Sequence, residues 1–252
     1  ANSKLIGANQ LNVTAESIMN AGTIQSNDNM SLIAQTETFG GMISNSGHII
    51  TGGDLLTKTN EYENSGTQFS DGKTTMSIHG GCLKYEEIFF GITYCKEEIS
   101  AQLTNNGSIT ANDSLVINTN QINNTQSGSI VGNADATFNS SRLINSGMIS
   151  IANDVDFDHT NVENTGDIES NGSLSLSVVT AFENQGQIFA YNTTISSNGL
   201  INEVDSTIYA DNQLTIDTGS YDLTNSGWLE GVNTLNLSAA NLINNDVITG
   251  GQ

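Results

Sequence analysis

Asp154, Asp156 and Asp158 alternate along Asn153-Asp-Val-Asp-Phe-Asp-His159. On an extended strand their carboxylates share one side while Val155 and Phe157 take the other, because successive side chains point to opposite faces. Three carboxylates on one side could hold a calcium ion or divide the acid and base roles of glycoside hydrolysis. No metal site is expected, and these three are the only candidates for one. The preference of Asp for water supplies the competing expectation, a solvated outer face whose apolar partners line a core. The GGxGxD calcium repeat is missing. His48, His79 and His159 lack the spacing of a zinc site or a nucleophile triad, and no GxSxG elbow is present. The glycine pairs at 40–41, 52–53, 80–81 and 250–251 lead into no Lys-Ser/Thr helix start, so they read as turns. With no convergent group, the expectation is a non-enzyme without catalytic residues or a cofactor.

A second group of residues suits contact, not catalysis. HGGCLKYEEIFFGITYCKEE, residues 79–98, holds both cysteines, Cys82 and Cys95, and four of the fifteen aromatic residues, Tyr85, Phe89, Phe90 and Tyr94. The runs Cys82-Leu-Lys-Tyr-Glu-Glu-Ile88 and Gly91-Ile-Thr-Tyr-Cys95 are β-prone with a glycine between them, which predicts a hairpin. If Cys82 faces Cys95, then Leu83 opposes Tyr94, Tyr85 opposes Ile92, and the tip falls at Glu87-Ile-Phe-Phe90. One intramolecular disulfide is then available, although two free buried thiols would read the same way. An isolated hairpin is marginal in water, and a bridge closing about 14 residues would add on the order of 3 kcal/mol by chain entropy. Tyr85, Ile88, Phe89, Phe90, Ile92 and Tyr94 are the partner-binding candidates, since apolar and aromatic anchors dominate interface energetics. Two other readings stand beside this one. Phe89 and Phe90 fold back as a packing layer, or the segment caps an imperfect repeat.

The composition narrows the partners. Acidic residues number 27 against 6 basic ones, for a net charge of −21, so no Lys/Arg patch exists to neutralise phosphate or anionic lipid. Nucleic acid is excluded as a partner. No apolar run approaches the roughly 18 residues of a membrane span, so no direct membrane insertion is expected. The start ANSKLIGANQ lacks signal-peptide architecture, and the chain reads as a mature, excised piece. Charged residues are only 13% of the chain while Asn occurs 34 times and Pro never, so amides and hydroxyls supply the polar surface.

Positioning these groups falls to a repeat. Asn-x-Gly recurs at Asn20, Asn45, Asn64, Asn105, Asn145, Asn164, Asn184 and Asn225, with degenerate copies at Asn2, Asn124, Asn202 and Asn244. Successive asparagines stand 18 to 25 residues apart, except for 41 between Asn64 and Asn105, where the cysteine-bearing passage lies. Aligned on the asparagine, apolar residues form columns. Ile24, Ile49, Ile109, Ile149, Ile168, Ile188 and Leu229 make one, and Leu115, Val155, Leu174 and Leu235 another. Leu32, Ile117, Phe157, Leu176 and Leu237 follow two places on, and Ile122, Val162, Phe182 and Leu242 close the unit. Short alternating stretches between Asn, Gly, Asp and Ser turns describe strands, not helices. A unit of about twenty residues cannot bury its apolar side alone, so successive units must stack as a parallel β-helix with coils ~4.8 Å apart. Twelve coils predict a rod of roughly 55 Å. Asn is expected at the corners because it tolerates a left-handed backbone and because stacked amides can hydrogen-bond as a ladder. The expectation is one β-helix domain over 1–252, interrupted by an inserted hairpin at 79–101.

The units NNGSITANDSLVINTNQINN and NSGWLEGVNTLNLSAANLINN, with their pattern N-x-G-x-I-x-A/S…L-x-L…L-x-N, resemble the filamentous haemagglutinin repeats of two-partner-secreted exoproteins of Gram-negative bacteria. These include adhesins and CdiA-type effectors of contact-dependent growth inhibition. The resemblance covers nearly the whole chain outside the insertion. It implies a right-handed β-helix, export through an outer-membrane transporter, and a secreted, cell-surface location. For a growth-inhibition effector it implies a protein receptor in the outer membrane of a neighbouring bacterium, and for an adhesin a host receptor or glycan. A passive stalk and a glycan-binding or glycan-cleaving β-helix are the alternatives. Lyase chemistry on such folds uses basic residues beside a carboxylate-bound cation, whereas Arg142 is the single arginine here.

Overall fold

Strands account for every regular element of the described chain, and all but two of them pair in parallel ladders from one repeat to the next. The computed structural model describes residues 3–35, 41–89, 92–99 and 101–251, of which 81–89 and 92–99 are described by their backbone. About twelve coils stack into a β-helix, as the periodicity predicts. Each coil has three sides, as in Gln102–Asn105, Ser108–Ala111 and Leu115–Asn118. We call them the amide, isoleucine and leucine faces after their inward residues. From Ala136 onward the strands run through corners, and Asp167–Val178 serves two faces in succession.

Register explains why the apolar columns exist. Ile109 sits on Ile130, Ile130 on Ile149, Ile149 on Ile168 and Ile168 on Ile188, so each inward side chain packs on its counterpart one coil away. These isoleucines are fully or almost fully buried, as are Leu115, Ile117, Phe138, Phe157 and Leu176. Each such burial contributes about 1.5–3 kcal/mol relative to leaving the side chain in water. Phe138 and Phe157 stack with ring centroids 4.8 Å apart. At the last coil the expectation fails. Leu242 is exposed, and Leu235 and Leu237 are only partly buried, on the last of the described coils.

The motif asparagines point inward. Eleven of them, from Asn20 to Asn244, stack in one file on the amide face, and each Nδ2 donates to the Oδ1 of the next at 2.8–2.9 Å. The second N–H of most of these amides donates to a backbone carbonyl of the following coil, as from Asn145 to Asp167 and from Asn202 to Trp228. The file satisfies buried polar groups that would otherwise carry a desolvation cost. The ladder expected from sequence is therefore present, but the left-handed backbone is not. Among described non-glycine residues only Asp205 has a positive φ, at 64°.

The glycine of the motif answers to close approach. A Cβ on Gly47 would stand 2.1 Å from the carbonyl oxygen of Gly22, and one on Gly66 or Gly107 would stand 2.1 Å from that of the preceding glycine in the file. Backbone passes over backbone at this corner, and no side chain fits between. Proline's absence follows the same logic, since nearly every N–H is needed by a neighbouring coil.

The insertion leaves the rod in register. Ile78 pairs with Thr59, and Gln102 pairs with Glu61, so the coil below needs one residue, Asn60, where this coil has 79–101. Asn64 still donates to Asn105 at 2.9 Å although the two are 41 positions apart, against 19 for Asn105 and Asn124. The surplus of 22 equals the number of residues between Ile78 and Ala101. Ala101 is fully buried and its carbonyl accepts from the N–H of Gln121, so it belongs to the rod. The inserted segment is thus 79–100, one residue shorter than expected.

Candidate functional site

Gly81–Phe89 and Ile92–Ile99 pair antiparallel in a two-stranded sheet of their own, separate from the ladders of the rod. The predicted hairpin exists, and it leaves the corner between the leucine and amide faces. Tyr85, Ile88, Phe89, Ile92 and Tyr94 all lie on its two strands, while Phe90 falls outside the described residues.

The register differs from the expected one. Cys82 stands opposite Glu98, Tyr85 opposite Cys95, Glu86 opposite Tyr94 and Phe89 opposite Ile92, with irregularities around Lys84 and between Glu87 and Phe89. The expectation set Cys82 against Cys95 and Tyr85 against Ile92. The pairing runs as far as Phe89 and Ile92, which leaves the connection to positions 90 and 91, outside the described residues. Loop length sets hairpin register, and pairing that continues to Phe89 and Ile92 leaves a shorter loop than the expected tip at Glu87-Ile-Phe-Phe90. Cys82 and Cys95 are consequently three positions out of step, about 10 Å along a strand.

The three carboxylates divide. Asp156 and Asp158 face solvent from the leucine face, with Val155, Phe157 and His159 turned inward between them, as the preference of Asp for exposure predicts. Asp154 stands at the preceding corner, where its Oδ1 accepts the backbone N–H of Ser173 at 2.7 Å. That corner role is shared by Asp54, whose carboxylate accepts from the N–H of Lys73 at 2.9 Å. Among the described residues, no group of three or more His, Cys, Asp or Glu side chains converges as a metal ion would require. His48 and His79 are exposed on other coils.

His159 is the buried member of the sequence candidates. Its ring lies 5.8 Å from that of Phe157, and its Nδ1 is 2.8 Å from the Ser140 hydroxyl and 3.2 Å from the Ser140 carbonyl. Nε2 is buried without a partner. Burial pushes the imidazole down to about 4, against smaller opposing effects of the Ser140 backbone hydrogen bond and the Asp158 charge. The folded chain therefore holds this ring neutral while the unfolded chain protonates near 6.5. Between those values the unfolded state binds the extra proton, so stability is full above about pH 6.5 and falls as pH drops towards 4. The loss attributable to this residue is about 3 kcal/mol between pH 7 and pH 4. Urea unfolding across that range checks it: His159→Leu should flatten the pH dependence by that amount relative to wild type.

One aromatic cluster lies outside the sequence candidates. Phe189, Tyr209 and Trp228 emerge from the outer side of the isoleucine face on adjacent coils, Phe189 and Trp228 being exposed. Their signal was present, because each neighbours an inward column residue, Ile188, Ile208 or Leu229, and alternation must turn it outward. No family model matches the chain, and neither a curated protein nor a solved structure matches it.

Proposed function

We propose that the chain is a recognition segment of a secreted, surface-displayed bacterial filament, in which the β-helix supplies reach and stiffness and the 79–100 hairpin contacts a protein on a target cell. The observation that carries this reading is the unbroken register from Thr59–Glu61 across the insertion to Gln102. A hairpin that adds no strand to the rod's ladders contributes nothing to their hydrogen bonding, so the ladders alone give no reason to keep it. Its apolar and aromatic content, with Tyr85, Ile88, Phe89, Phe90, Ile92 and Tyr94 within ten positions, is of the kind that anchors protein interfaces. Resemblance to filamentous haemagglutinin repeats supports export through an outer-membrane transporter and makes an outer-membrane receptor on a neighbouring bacterium the leading partner.

The test joins Ile78 directly to Ala101 and compares this chain with wild type for adsorption to intact bacterial and host cells, measured by flow cytometry of labelled protein. Adsorption should fall at least tenfold while circular dichroism keeps its β signature. Unchanged adsorption by the shortened chain would reduce the hairpin to an ornament of a passive stalk.

A further inference from the structure

The register places Glu169, Phe189, Tyr209 and Glu230 in one outward file on four successive coils of the isoleucine face. The rings of Phe189 and Tyr209 have centroids 6.0 Å apart and are inclined by 56°. Beside them lies an open cleft of about 280 Å³, lined by Glu169, Phe189, Tyr209 and Asp211 among others. The Tyr209 hydroxyl donates to Asp211 Oδ1 at 2.8 Å, and Trp228 Nε1 donates to Glu230 Oε2 at 3.0 Å. The Tyr209 and Trp228 rings are thus each tied to a neighbouring carboxylate.

Nothing in this half of the chain balances that charge. Arg142 is the last Lys or Arg in the sequence, residues 143–252 hold fourteen Asp and Glu, and Arg142 itself pairs with Glu163 at 2.6 Å. The cleft therefore offers π faces and unneutralised carboxylates at once. A guanidinium meets both demands, since it is planar, stacks on aromatic faces and binds carboxylates through paired N–H groups. The carboxylates do not converge into a metal-binding group.

We propose that this cleft receives an arginine side chain of a basic partner polypeptide, with the guanidinium against Phe189 and Tyr209 and paired to Glu169 and Asp211. The site is distinct from the hairpin, which leaves a different corner roughly 20 Å away along the rod at ordinary coil spacing. Both sites on one rod would let a partner or an assembly engage two surfaces, each adding to the apparent affinity of the other.

The single tryptophan, Trp228, pairs with Thr207 on the adjacent coil and donates to Glu230, the last member of the file, so its fluorescence reports on this face. The chain is titrated with a blocked peptide of two arginines spaced by glycine, followed by tryptophan fluorescence and by isothermal calorimetry. Saturable binding is expected, at least tenfold weaker for the same peptide with citrulline in place of arginine. Tyr209→Ser and Asp211→Asn should each weaken it at least tenfold with circular dichroism unchanged. The double change Asp156→Asn with Asp158→Asn removes two charges from another face and should leave the affinity as it was. The proposal is overturned by no binding in either measurement, by equal affinity for the citrulline peptide, or by an equal loss in the Asp156/Asp158 variant, which would mean general attraction to an acidic rod. Tighter binding of a neutral oligosaccharide than of the arginine peptide would also overturn it and make the cleft a glycan site.

Discussion

Replacing Asn145 with alanine is expected to destabilise the rod by about 3–5 kcal/mol, although no apolar group is lost. Asn145 is fully buried. It accepts from Asn124 at 2.8 Å, and it donates to Asn164 at 2.9 Å and to the Asp167 carbonyl at 3.1 Å. Alanine removes all three bonds and strands a donor and two acceptors where water does not reach, each costing about 1–3 kcal/mol. Aspartate should be worse at neutral pH, because a buried carboxylate cannot donate to Asn164 and carries an unpaired charge. The same alanine change at exposed Asn244, the end of the file, should cost less than about 1 kcal/mol. Chemical unfolding followed by circular dichroism checks the contrast. Equal effects at the two positions would mean that the amide file contributes no more inside the rod than at its end.

The second large effect belongs to Gly166. A Cβ there would stand 2.2 Å from the Gly147 carbonyl oxygen and 2.6 Å from the Ser146 carbonyl carbon, both backbone atoms that cannot rotate away. Gly166→Ala must pry two coils apart at a corner where Gly166 N–H bonds Asn145 and its carbonyl accepts from Gln187. The expected cost is about 3 kcal/mol or more, the upper end for overpacking. Gly219 is the informative control. It has open space around an added Cβ but a φ of +58°, so Gly219→Ala should cost only about 1–2 kcal/mol through backbone strain. Melting temperatures of the two variants decide between crowding and conformation as the reason for glycine in the motif.

Much of this architecture was legible in the sequence because a β-helix repeats its environment. Ile109, Ile149, Ile168 and Ile188 share a column in sequence because they share a column in space, and the asparagine file follows from the same identity. The insertion was legible as a surplus between Asn64 and Asn105. Its boundary moved by one residue because Ala101 looks like neither rod nor hairpin until its burial is seen. The reason for the motif glycine was hidden, since a sequence does not show that Gly66 passes beneath Gly107 at a distance no methyl tolerates. The hairpin register differs from the expected one because pairing continues to Phe89 and Ile92, which leaves a shorter loop than a tip at Glu87-Ile-Phe-Phe90. Alternation alone would have turned His159 inward after Phe157. It also turns Phe189, Tyr209 and Trp228 outward, since each neighbours an inward column residue.

The amide file and the three ladders carry the rod across the insertion without help from it. The most direct measurement is thermal unfolding of the chain in which Ile78 runs into Ala101, so that Ala101 takes the place Asn60 holds in the coil below. The predicted result is an unchanged β spectrum and a melting temperature within about 4 °C of wild type, the shift that about 1–2 kcal/mol produces in a chain of this size. Loss of the β spectrum, or a melting temperature lower by about 10 °C or more, would contradict it and make the hairpin a structural part of the rod.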